Sequence, residues 1–293
     1  MTKLITGKTK LLGVIGHPVE HSLSPVMHNA AIAHLGLDYV YLPFPIAPEN
    51  LEIAIAGFAA VDLVGFSVTI PHKQAIIRLL AEITPIAQTI GAVNTVSRKN
   101  GKWVGTNTDI EGFIAPLQTT YQQDWSQKVA VILGNGGAAR AVVAGCHQLG
   151  FAKIYVLGRN VQKLQAFCDS WNNSAIEENL QVGTWDELAK LIPQTDLLVN
   201  TTPIGMYPNV DESPLSAEEI AQLPQGAIAY DLIYTPKPTQ FLKLAEKQGA
   251  IAIDGLEMLV QQGVAALKIW LQQENIPVEV MRQALQNHLG FAR

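Results

Sequence analysis

The sequence predicts an α/β fold in two domains, with one domain inserted into the other. Short apolar runs alternate with helix-period segments along most of the chain, which is typical of βαβ units. With 293 residues the chain exceeds one ordinary domain of roughly 100–200 residues. From Leu256 onward only helix-like patterns occur, and such a tail can return to the first domain. We therefore predict one domain from residues 1–112 with 255–293, and a second from 113–254.

The order of the predicted elements follows from hydrophobic periodicity and turn residues. In the first domain they are strand Leu11–Ile15, helix Pro25–Leu35, strand Tyr39–Ile46, helix Glu49–Phe58, strand Leu63–Ile70, helix Gln74–Glu82, and a hairpin of Ala92–Ser97 with Lys102–Thr106. In the second they are strand Lys128–Leu133, helix Gly137–Leu149, strand Lys153–Leu157, helix Val161–Trp171, and strands Asp196–Thr201, Ala227–Tyr234 and Ala250–Asp254. Pro277 separates the tail helices Met258–Gln272 and Glu279–Leu289.

Composition narrows the class of protein. Hydrophobic residues make up 48% and charged residues 15%, a balance that supports buried cores and argues against disorder. The net charge of −5, with no run of Lys or Arg, argues against a nucleic-acid or anionic-membrane surface. No signal or transit pattern and no apolar run of roughly 18–20 residues is present, so we expect a cytoplasmic protein. Cys146 and Cys168 lack C-x-x-C spacing and are expected to be reduced core thiols.

A glycine-rich turn predicts a dinucleotide site in the second domain. The apolar strand that ends at Leu133 runs into Gly134–Ala138 and then into a helix. Small residues let the backbone approach a pyrophosphate, and the helix N-terminus offers free N–H groups to it. We therefore predict a Rossmann-like doubly wound domain. A tight strand–helix turn without a ligand is the alternative.

The end of the next strand favours NADP over NAD. Domains that select NAD usually place Asp or Glu there, where it accepts a hydrogen bond from the ribose 2′-hydroxyl. This chain has Arg159 and Lys163 instead. Cations are what an additional 2′-phosphate requires, because Arg offers a planar fork and Lys a point charge. The alternative is that these two side chains are only solvent-exposed residues of a surface loop and bind no ligand.

Polar motifs interrupt the apolar segments, and as a set they resemble the shikimate dehydrogenase family. They occur in the family's order from about residue 11 to 270, and are Ser22–Pro25, Ser67–Lys73, Gly91–Thr95, Gly105–Asp109, Gly134–Ala138, Asn200–Met206, Tyr230–Tyr234 and Gly255–Gln262. The resemblance implies a two-domain α/β enzyme that reduces 3-dehydroshikimate to shikimate with NADPH, on the route to chorismate and the aromatic amino acids. One departure is Gly158–Asn160, where the family commonly has Asn-Arg-Thr.

The resemblance also implies roles for individual residues. Lys73 matches the catalytic lysine and Asp109 the aspartate paired with it. The implied substrate contacts are Ser22, Ser24, Thr69, Asn94, Tyr234 and Gln262. The implied NADP contacts are Gly134, Asn135, Gly136, Gly137, Ala138, Arg159, Asn160, Lys163, Leu232 and Gly255. No metal is implied, and because family members are dimers or monomers a homodimer is left open.

The residue types suit this chemistry. Neutral donors and acceptors match a polyhydroxylated acid, and the hydroxyls of Ser22 and Ser24 are expected to hold its carboxylate. Ketone reduction needs a proton donor near the oxygen, where negative charge develops, and Lys73 can supply it. A position just after Pro71 places Lys73 near the positive end of a helix dipole, which favours loss of its proton. The carboxylate of Asp109 acts in the opposite sense.

Each role has a structural alternative. Lys73 could be a solvated lysine at a helix start. Asp109 could be a first-turn acid behind a Thr108–Glu111 capping box. Ser22 and Ser24 could cap the next helix. The amide of Gln262 could point from a helix to solvent.

Three other functions compete with this interpretation. A quinate/shikimate dehydrogenase of broader substrate and cofactor range is the nearest. A non-catalytic NADP-binding sensor is another, although a sensor has no need of the Lys73–Asp109 pair. His17–His21 fits the H-x-x-E-H pattern of zinc hydrolases, but Pro18 lies inside it and the segment resembles a loop rather than a helix.

Overall fold

Two compact units make up the chain. The computed structural model describes residues 5–121, 124–172 and 174–290. The first unit comprises Met1–Thr108 with Val260–Arg293, and the second Asp109–Leu259. These limits lie a few residues from the predicted ones, and the ligand assigned to each domain stays a prediction. Residues 1–4 and 291–293 of the predicted first domain lie outside the described residues.

Strands and helices alternate through most of the chain. The strands are β1 Lys10–Gly16, β2 Tyr39–Pro45, β3 Gly65–Val68, β4 Glu82–Ile83, β5 Thr95–Lys99, β6 Lys102–Thr106, β7 Val129–Leu133, β8 Lys153–Gly158, β9 Leu180–Thr184, β10 Leu197–Asn200, β11 Ile228–Asp231 and β12 Ile251–Ile253. The α-helices are α1 Ser24–His34, α2 Leu51–Ala60, α3 His72–Ala75, α4 Pro85–Ile90, α5 Asp109–Thr120, α6 Gly137–Leu149, α7 Val161–Asp169, α8 Leu188–Leu191, α9 Ala217–Ile220, α10 Gln240–Lys247, α11 Leu256–Leu271 and α12 Val278–Leu289.

The first unit contains a mixed six-stranded sheet in the order β2-β1-β3-β5-β6-β4. Strand β1 is parallel to β2 and β3, whereas β5 is antiparallel to both β3 and β6. The turn between β5 and β6 has φ +50° at Asn100 and +77° at Gly101, the left-handed conformations that the sequence predicts for a tight hairpin. The carboxyl ends of β1, β3 and β6 and the amino end of β5 therefore share one edge of the sheet.

One predicted helix of the first unit is wrong in its limits. The segment predicted as Gln74–Glu82 forms the single-turn helix α3, a 3₁₀ turn at Ile76–Leu79 and the short strand β4. Two β-branched residues, Ile76 and Ile77, weaken the helix. Glu82 and Ile83 then pair with β6, and this sheet contact overrides the local helical pattern. Helix α4 was not predicted, although Thr84 caps it, Pro85 begins it and Gly91 ends it at φ +67°.

Gly65 lets α11 approach the first sheet closely. A Cβ on Gly65 would overlap the indole of Trp270 and lie 2.7 Å from the carbonyl oxygen of Val96. The indole N–H of Trp270 donates to that same oxygen at 2.9 Å. Only glycine leaves room for the indole and its buried hydrogen bond.

We expect Gly65→Ala to lower the free energy of unfolding by about 2–5 kcal/mol, because overpacking and a broken buried hydrogen bond both contribute. Urea unfolding monitored by tryptophan fluorescence measures the change. Gly57→Ala in α2 is the matched control, since a Cβ there meets nothing within 4 Å and alanine favours the helix. Equal stability of Gly65→Ala and the unsubstituted protein would contradict the expectation.

The second unit contains a parallel six-stranded sheet in the order β12-β11-β10-β7-β8-β9. The chain runs outward from β7 through β8 to β9, then returns to β10 beside β7 and continues to β12. This order confirms the doubly wound prediction and places a topological switch point between β7 and β10. Ligands of such sheets bind outside the carboxyl ends of the strands at that point.

The elements of this unit that were not predicted include β9 and the helices α8, α9 and α10. Its buried core lies around β7, β10 and β11, with Phe241 of α10 packed into it. Within residues 5–121, 124–172 and 174–290, none of the helices reaches the length and apolarity that crossing a membrane requires.

Candidate functional site

The predicted substrate contacts of the first unit cluster at one edge of its sheet. Ser22 and Ser24 follow β1, Thr69 follows β3, and Asn94 directly precedes the antiparallel strand β5. The N–H of Thr69 donates to Ile15 at 3.0 Å, and the N–H of Val68 donates to Asn94 at 2.6 Å. These main-chain bonds fix the loops to one another, so the fold brings the four residues to the same edge.

Lys73 lies at this edge as the second residue of α3. Its carbonyl accepts the N–H of Val93 at 2.8 Å, which joins α3 to the segment that carries Asn94. The neighbouring His72 is buried, and its Nε2 lies 2.7 Å from the carbonyl oxygen of Ile46. The half-buried Lys73 therefore projects from a backbone that is held on both sides, as a residue that handles a proton requires.

The amide of Asn94 is already engaged inside the first unit. Its Oδ1 accepts from the N–H of Thr108 at 2.8 Å and from the hydroxyl of Thr95 at 2.9 Å. Its Nδ2 donates to the hydroxyl of Thr108 at 3.1 Å. Asn94 thus fixes the residue that precedes Asp109, and its own contact with substrate stays a prediction.

Asp109 is the first residue of α5 and is buried. The prediction of a first-turn acid is confirmed. Burial raises the pKa of Glu111 in the same turn, and the nearby charge of Asp109 adds to that rise. The capping box and the pairing of Asp109 with Lys73 stay predictions.

The glycine-rich turn after β7 has the shape that a phosphate site needs. Gly134 has φ +101°, and a Cβ there would lie 2.9 Å from the hydroxyl oxygen of Thr201. Gly136 is the N-cap of α6, and a Cβ at Gly136 would meet nothing within 4 Å. The open space therefore lies at the N-terminus of a 13-residue helix, where free N–H groups and the dipole favour an anion. Gly134, Asn135, Gly136, Gly137 and Ala138 fit a dinucleotide pyrophosphate.

The predicted 2′-phosphate residues follow β8. Arg159 and Lys163 are exposed, and the side chain of Asn160 caps α7 by accepting the N–H of Lys163 at 2.8 Å. The guanidinium of Arg159 lies over the ring of Trp185, 5.6 Å from its centroid. Trp185 was not predicted, because its position follows from pairing of Gly158 with Thr184 in the unpredicted strand β9.

Leu232 and Gly255 pack against each other at the end of the second sheet. The N–H of Leu232 donates to Asn200 at 3.1 Å, and the N–H of Gly255 donates to Ile233 at 3.1 Å. A Cβ on Gly255 would overlap the carbonyl oxygen of Leu232, so glycine is required there. Tyr234 is half-buried, and burial raises the pKa of its phenol.

Gln262 of α11 is buried in the first unit, next to Gly263, which packs on Met27. The alternative that its amide points to solvent from an exposed helix face is therefore wrong.

A buried polar cluster of the second unit was not predicted. The carboxylate of Asp231 accepts from Asn200 Nδ2 at 3.0 Å, from the hydroxyl of Thr239 at 2.7 Å and from the N–H of Ile233 at 3.1 Å. It thereby joins the end of β10 to the loop that follows β11, which carries the predicted contacts Leu232 and Tyr234. An acid at the end of an otherwise apolar strand was the available sequence signal.

Asp231 makes the stability of the second unit depend on pH. Burial raises the pKa of Asp231 from 3.8 to about 6, against the lowering effect of its hydrogen bonds. A carboxyl with a raised folded-state pKa stabilises the fold fully below its unfolded pKa, and this contribution is lost as pH rises through the folded pKa. We expect the free energy of unfolding, relative to that of Asp231→Asn, to fall by about 2–2.5 kcal/mol from pH 4 to 7.

Urea unfolding of both proteins across this range measures the effect. Asp211→Asn, at an exposed position of the same unit, is the control for the loss of one acidic side chain. A constant difference between Asp231→Asn and the unsubstituted protein over the whole range would contradict the expectation.

The H-x-x-E-H pattern has no metal-binding arrangement in the described structure. Glu20 accepts the N–H of Val19 at 3.0 Å, in a loop between β1 and α1. Among the residues that the structure describes, no group of three or more His, Cys, Asp or Glu side chains is placed to hold a metal ion.

Family models match most of the chain. The shikimate dehydrogenase substrate binding domain matches residues 14–96, shikimate / quinate 5-dehydrogenase matches residues 117–211, and the shikimate 5′-dehydrogenase C-terminal domain matches residues 255–286. These segments together include the sheet edge of the first unit and the glycine-rich turn of the second.

Individual proteins agree with the family models. A shikimate dehydrogenase (NADP⁺) of Trichormus variabilis is 81% identical over 98% of this chain and 100% of its own length. A crystal structure of a shikimate dehydrogenase in complex with NADP⁺ superposes with a TM-score of 0.88 at 42% identity, over 98% of each chain. A shikimate 5-dehydrogenase of Listeria monocytogenes in complex with shikimate and NAD has a TM-score of 0.86 at 34% identity, over 97% of this chain and 99% of that one.

Proposed function

Because the chain belongs to the shikimate dehydrogenase family, it is an NADP-dependent oxidoreductase, and we propose that Lys73 exchanges the proton as 3-dehydroshikimate and shikimate interconvert. This reaction belongs to the route that leads to chorismate and the aromatic amino acids. The observation that carries the assignment of Lys73 is its place at the sheet edge of the first unit, beside Thr69 and Asn94.

The chemistry at the ketone requires one proton and one hydride. Bound NADPH supplies the hydride. Negative charge develops on the ketone oxygen, and the ammonium of Lys73 donates a proton to it; in the reverse direction the amine takes the proton back. We propose that Asp109 pairs with this ammonium and orients it toward the ketone oxygen.

Polar side chains hold the substrate in this proposal. The hydroxyls of Ser22 and Ser24 donate to the substrate carboxylate. Thr69, Asn94, Tyr234 and Gln262 bind the ring hydroxyls. Neutral groups suit this task, because each hydroxyl of the substrate both donates and accepts a hydrogen bond.

The second unit holds the cofactor in this proposal. The turn at Gly134–Ala138 and the N-terminus of α6 bind the pyrophosphate, while Arg159, Asn160 and Lys163 bind the 2′-phosphate. Leu232 and Gly255 line the remainder of the cofactor site. The support is the space in front of Gly136 and the two exposed cations beyond β8.

Quinate is the second candidate substrate, because the family model that matches residues 117–211 describes a shikimate / quinate 5-dehydrogenase. The test is the absorbance of the reduced nicotinamide when the protein receives shikimate or quinate together with NADP or NAD. We expect reduction of NADP by shikimate. Comparable rates with quinate would change the proposal to a dual-substrate enzyme. Absence of any reduction would overturn it and favour an NADP-binding sensor.

We extend the proposal to a cytoplasmic location and to a homodimer. Cell fractionation tests the location, and sedimentation of the purified protein tests the dimer.

A further inference from the structure

Tyr41 of β2 reaches from the edge of the first sheet into the predicted substrate site. Its ring is buried, and its hydroxyl donates to the hydroxyl of Ser67 at 2.9 Å. The side chain of Ser24 lies close enough to the same phenol to lower its pKa. Ser24 and Ser67 are buried as well. A row of three buried hydroxyls therefore connects β3 to the first residue of α1.

The main chain of Tyr41 is held by α1 itself. The side-chain amide of Asn29 donates to the carbonyl of Tyr41 at 2.8 Å and accepts its N–H at 2.9 Å. The same amide donates to the carbonyl of Pro25 at 2.9 Å. Because Pro25 is adjacent to Ser24, one side chain fixes Tyr41 relative to the helix turn that carries Ser24.

Two neighbouring aromatic rings contact the ring of Tyr41. It stacks on His28 with 4.3 Å between ring centroids, and lies 5.9 Å from the ring of Trp270. Burial lowers the pKa of His28 to about 3, so the stacked imidazole is neutral. The Tyr41 hydroxyl has little freedom to leave its place between the two serines.

We propose that Tyr41 is a positioning residue that directs the hydroxyl of Ser24 toward the carboxylate of the substrate. This inference rests on the proposed function, in which Ser24 holds that carboxylate. A carboxylate only accepts hydrogen bonds, so it takes the single proton of Ser24. The Ser24 oxygen then accepts from Tyr41, and the Tyr41 oxygen accepts from Ser67. Each hydroxyl rotates without losing its proton, and the polarised row strengthens the bond to the carboxylate.

Substitution of Tyr41 by phenylalanine separates the contribution of the hydroxyl from that of the ring. Tyr41→Phe keeps the stacking on His28 and the main-chain bonds to Asn29, and removes only the central member of the row. We expect the KM for shikimate to rise about 5–20-fold, because Ser24 loses the donor that supports its charged hydrogen bond. The kcat and the KM for NADP should change less than about twofold.

Tyr39→Phe is the matched control. Tyr39 lies two residues earlier on the same strand, and its hydroxyl is near the ammonium of Lys10 rather than the serines. We expect it to leave the KM for shikimate unchanged. An equal rise in both variants would show a general effect of β2 and overturn the inference.

A double-mutant cycle tests whether Tyr41 acts through Ser24. On the background of Ser24→Ala, Tyr41→Phe should have no further effect on the KM for shikimate. A full 5–20-fold effect on that background would overturn the inference, as would an unchanged KM in Tyr41→Phe alone. If Tyr41→Phe does not fold, Ser67→Ala replaces it in the same cycle. Failure of the unsubstituted protein to oxidise shikimate would instead overturn the proposed function.

Discussion

Lys73→Met is expected to lower kcat for shikimate oxidation by about 10²–10⁴-fold, the usual contribution of a positioned general acid or base. Methionine preserves the length and the apolar stem of the side chain but cannot carry a proton. Because α3 is held by His72 and by the bond from Val93 to the carbonyl of Lys73, the backbone of the site should survive the change. Initial rates with saturating shikimate and NADP measure the loss.

The effect must be specific to position 73. Lys102→Met removes a lysine from the exposed start of β6 in the same unit and should leave kcat unchanged. The KM for NADP should be unaffected in both variants, since the proposed cofactor contacts lie in the second unit. A Lys73→Met enzyme with more than a tenth of the normal kcat would contradict the assignment of the proton to Lys73.

Arg159→Ser is expected to raise the KM for NADP by about 10–100-fold, because hydrogen bonds to a charged group contribute about 1.5–3 kcal/mol each. The KM for NAD should change little, since NAD lacks the 2′-phosphate. Lys163→Ser should act in the same direction with a smaller effect, as Lys offers a point charge rather than a fork. Rates at varied cofactor concentration, with NADP and NAD in parallel, measure both effects.

Lys153→Ser provides the matched control for Arg159. It removes an exposed cation from the opposite end of β8, at the amino edge of the sheet. Its KM for NADP should equal that of the unsubstituted protein. If Arg159→Ser raised the KM for NAD as much as that for NADP, the residue would not recognise the 2′-phosphate.

Signals at both ends allowed α6 to be predicted from the sequence to the residue, whereas α4, which also has them, was not predicted. Helix α6 begins at Gly137 and ends at Leu149 as predicted, because Gly136 and Gly150 mark its two caps. Asn100 and Gly101 predict the β5–β6 hairpin and the limits of β6, but β5 begins three residues later than predicted and ends two residues later. The segment predicted as helix Gln74–Glu82 has no such end signals, and its conformation depends on sheet pairing with β6, which no local pattern reveals.

The residues of the candidate site also differ in whether a local sequence signal reveals them. The glycine-rich turn, Arg159 and Lys73 lie in contiguous motifs and could be found along the chain. Trp185 and Tyr41 could not, because their relation to the site depends on the register of β8 with β9 and on the side-chain contacts of β2. Residues that position a site can be identified only from their contacts in the folded protein. Residues of the site itself can be identified in the sequence by their residue type and motif.

The hydrogen bond between Trp270 and Val96 joins residues 174 positions apart. At ribosomal rates of about 5–20 residues per second, roughly 9–35 s separate the synthesis of these two partners. Through that interval the nascent first sheet lacks the complete α11 and all of α12, and by its end every strand of the second sheet has been made. The unit whose synthesis starts first is therefore the one that is completed last, and its first sheet waits for Trp270 until the second sheet has been made.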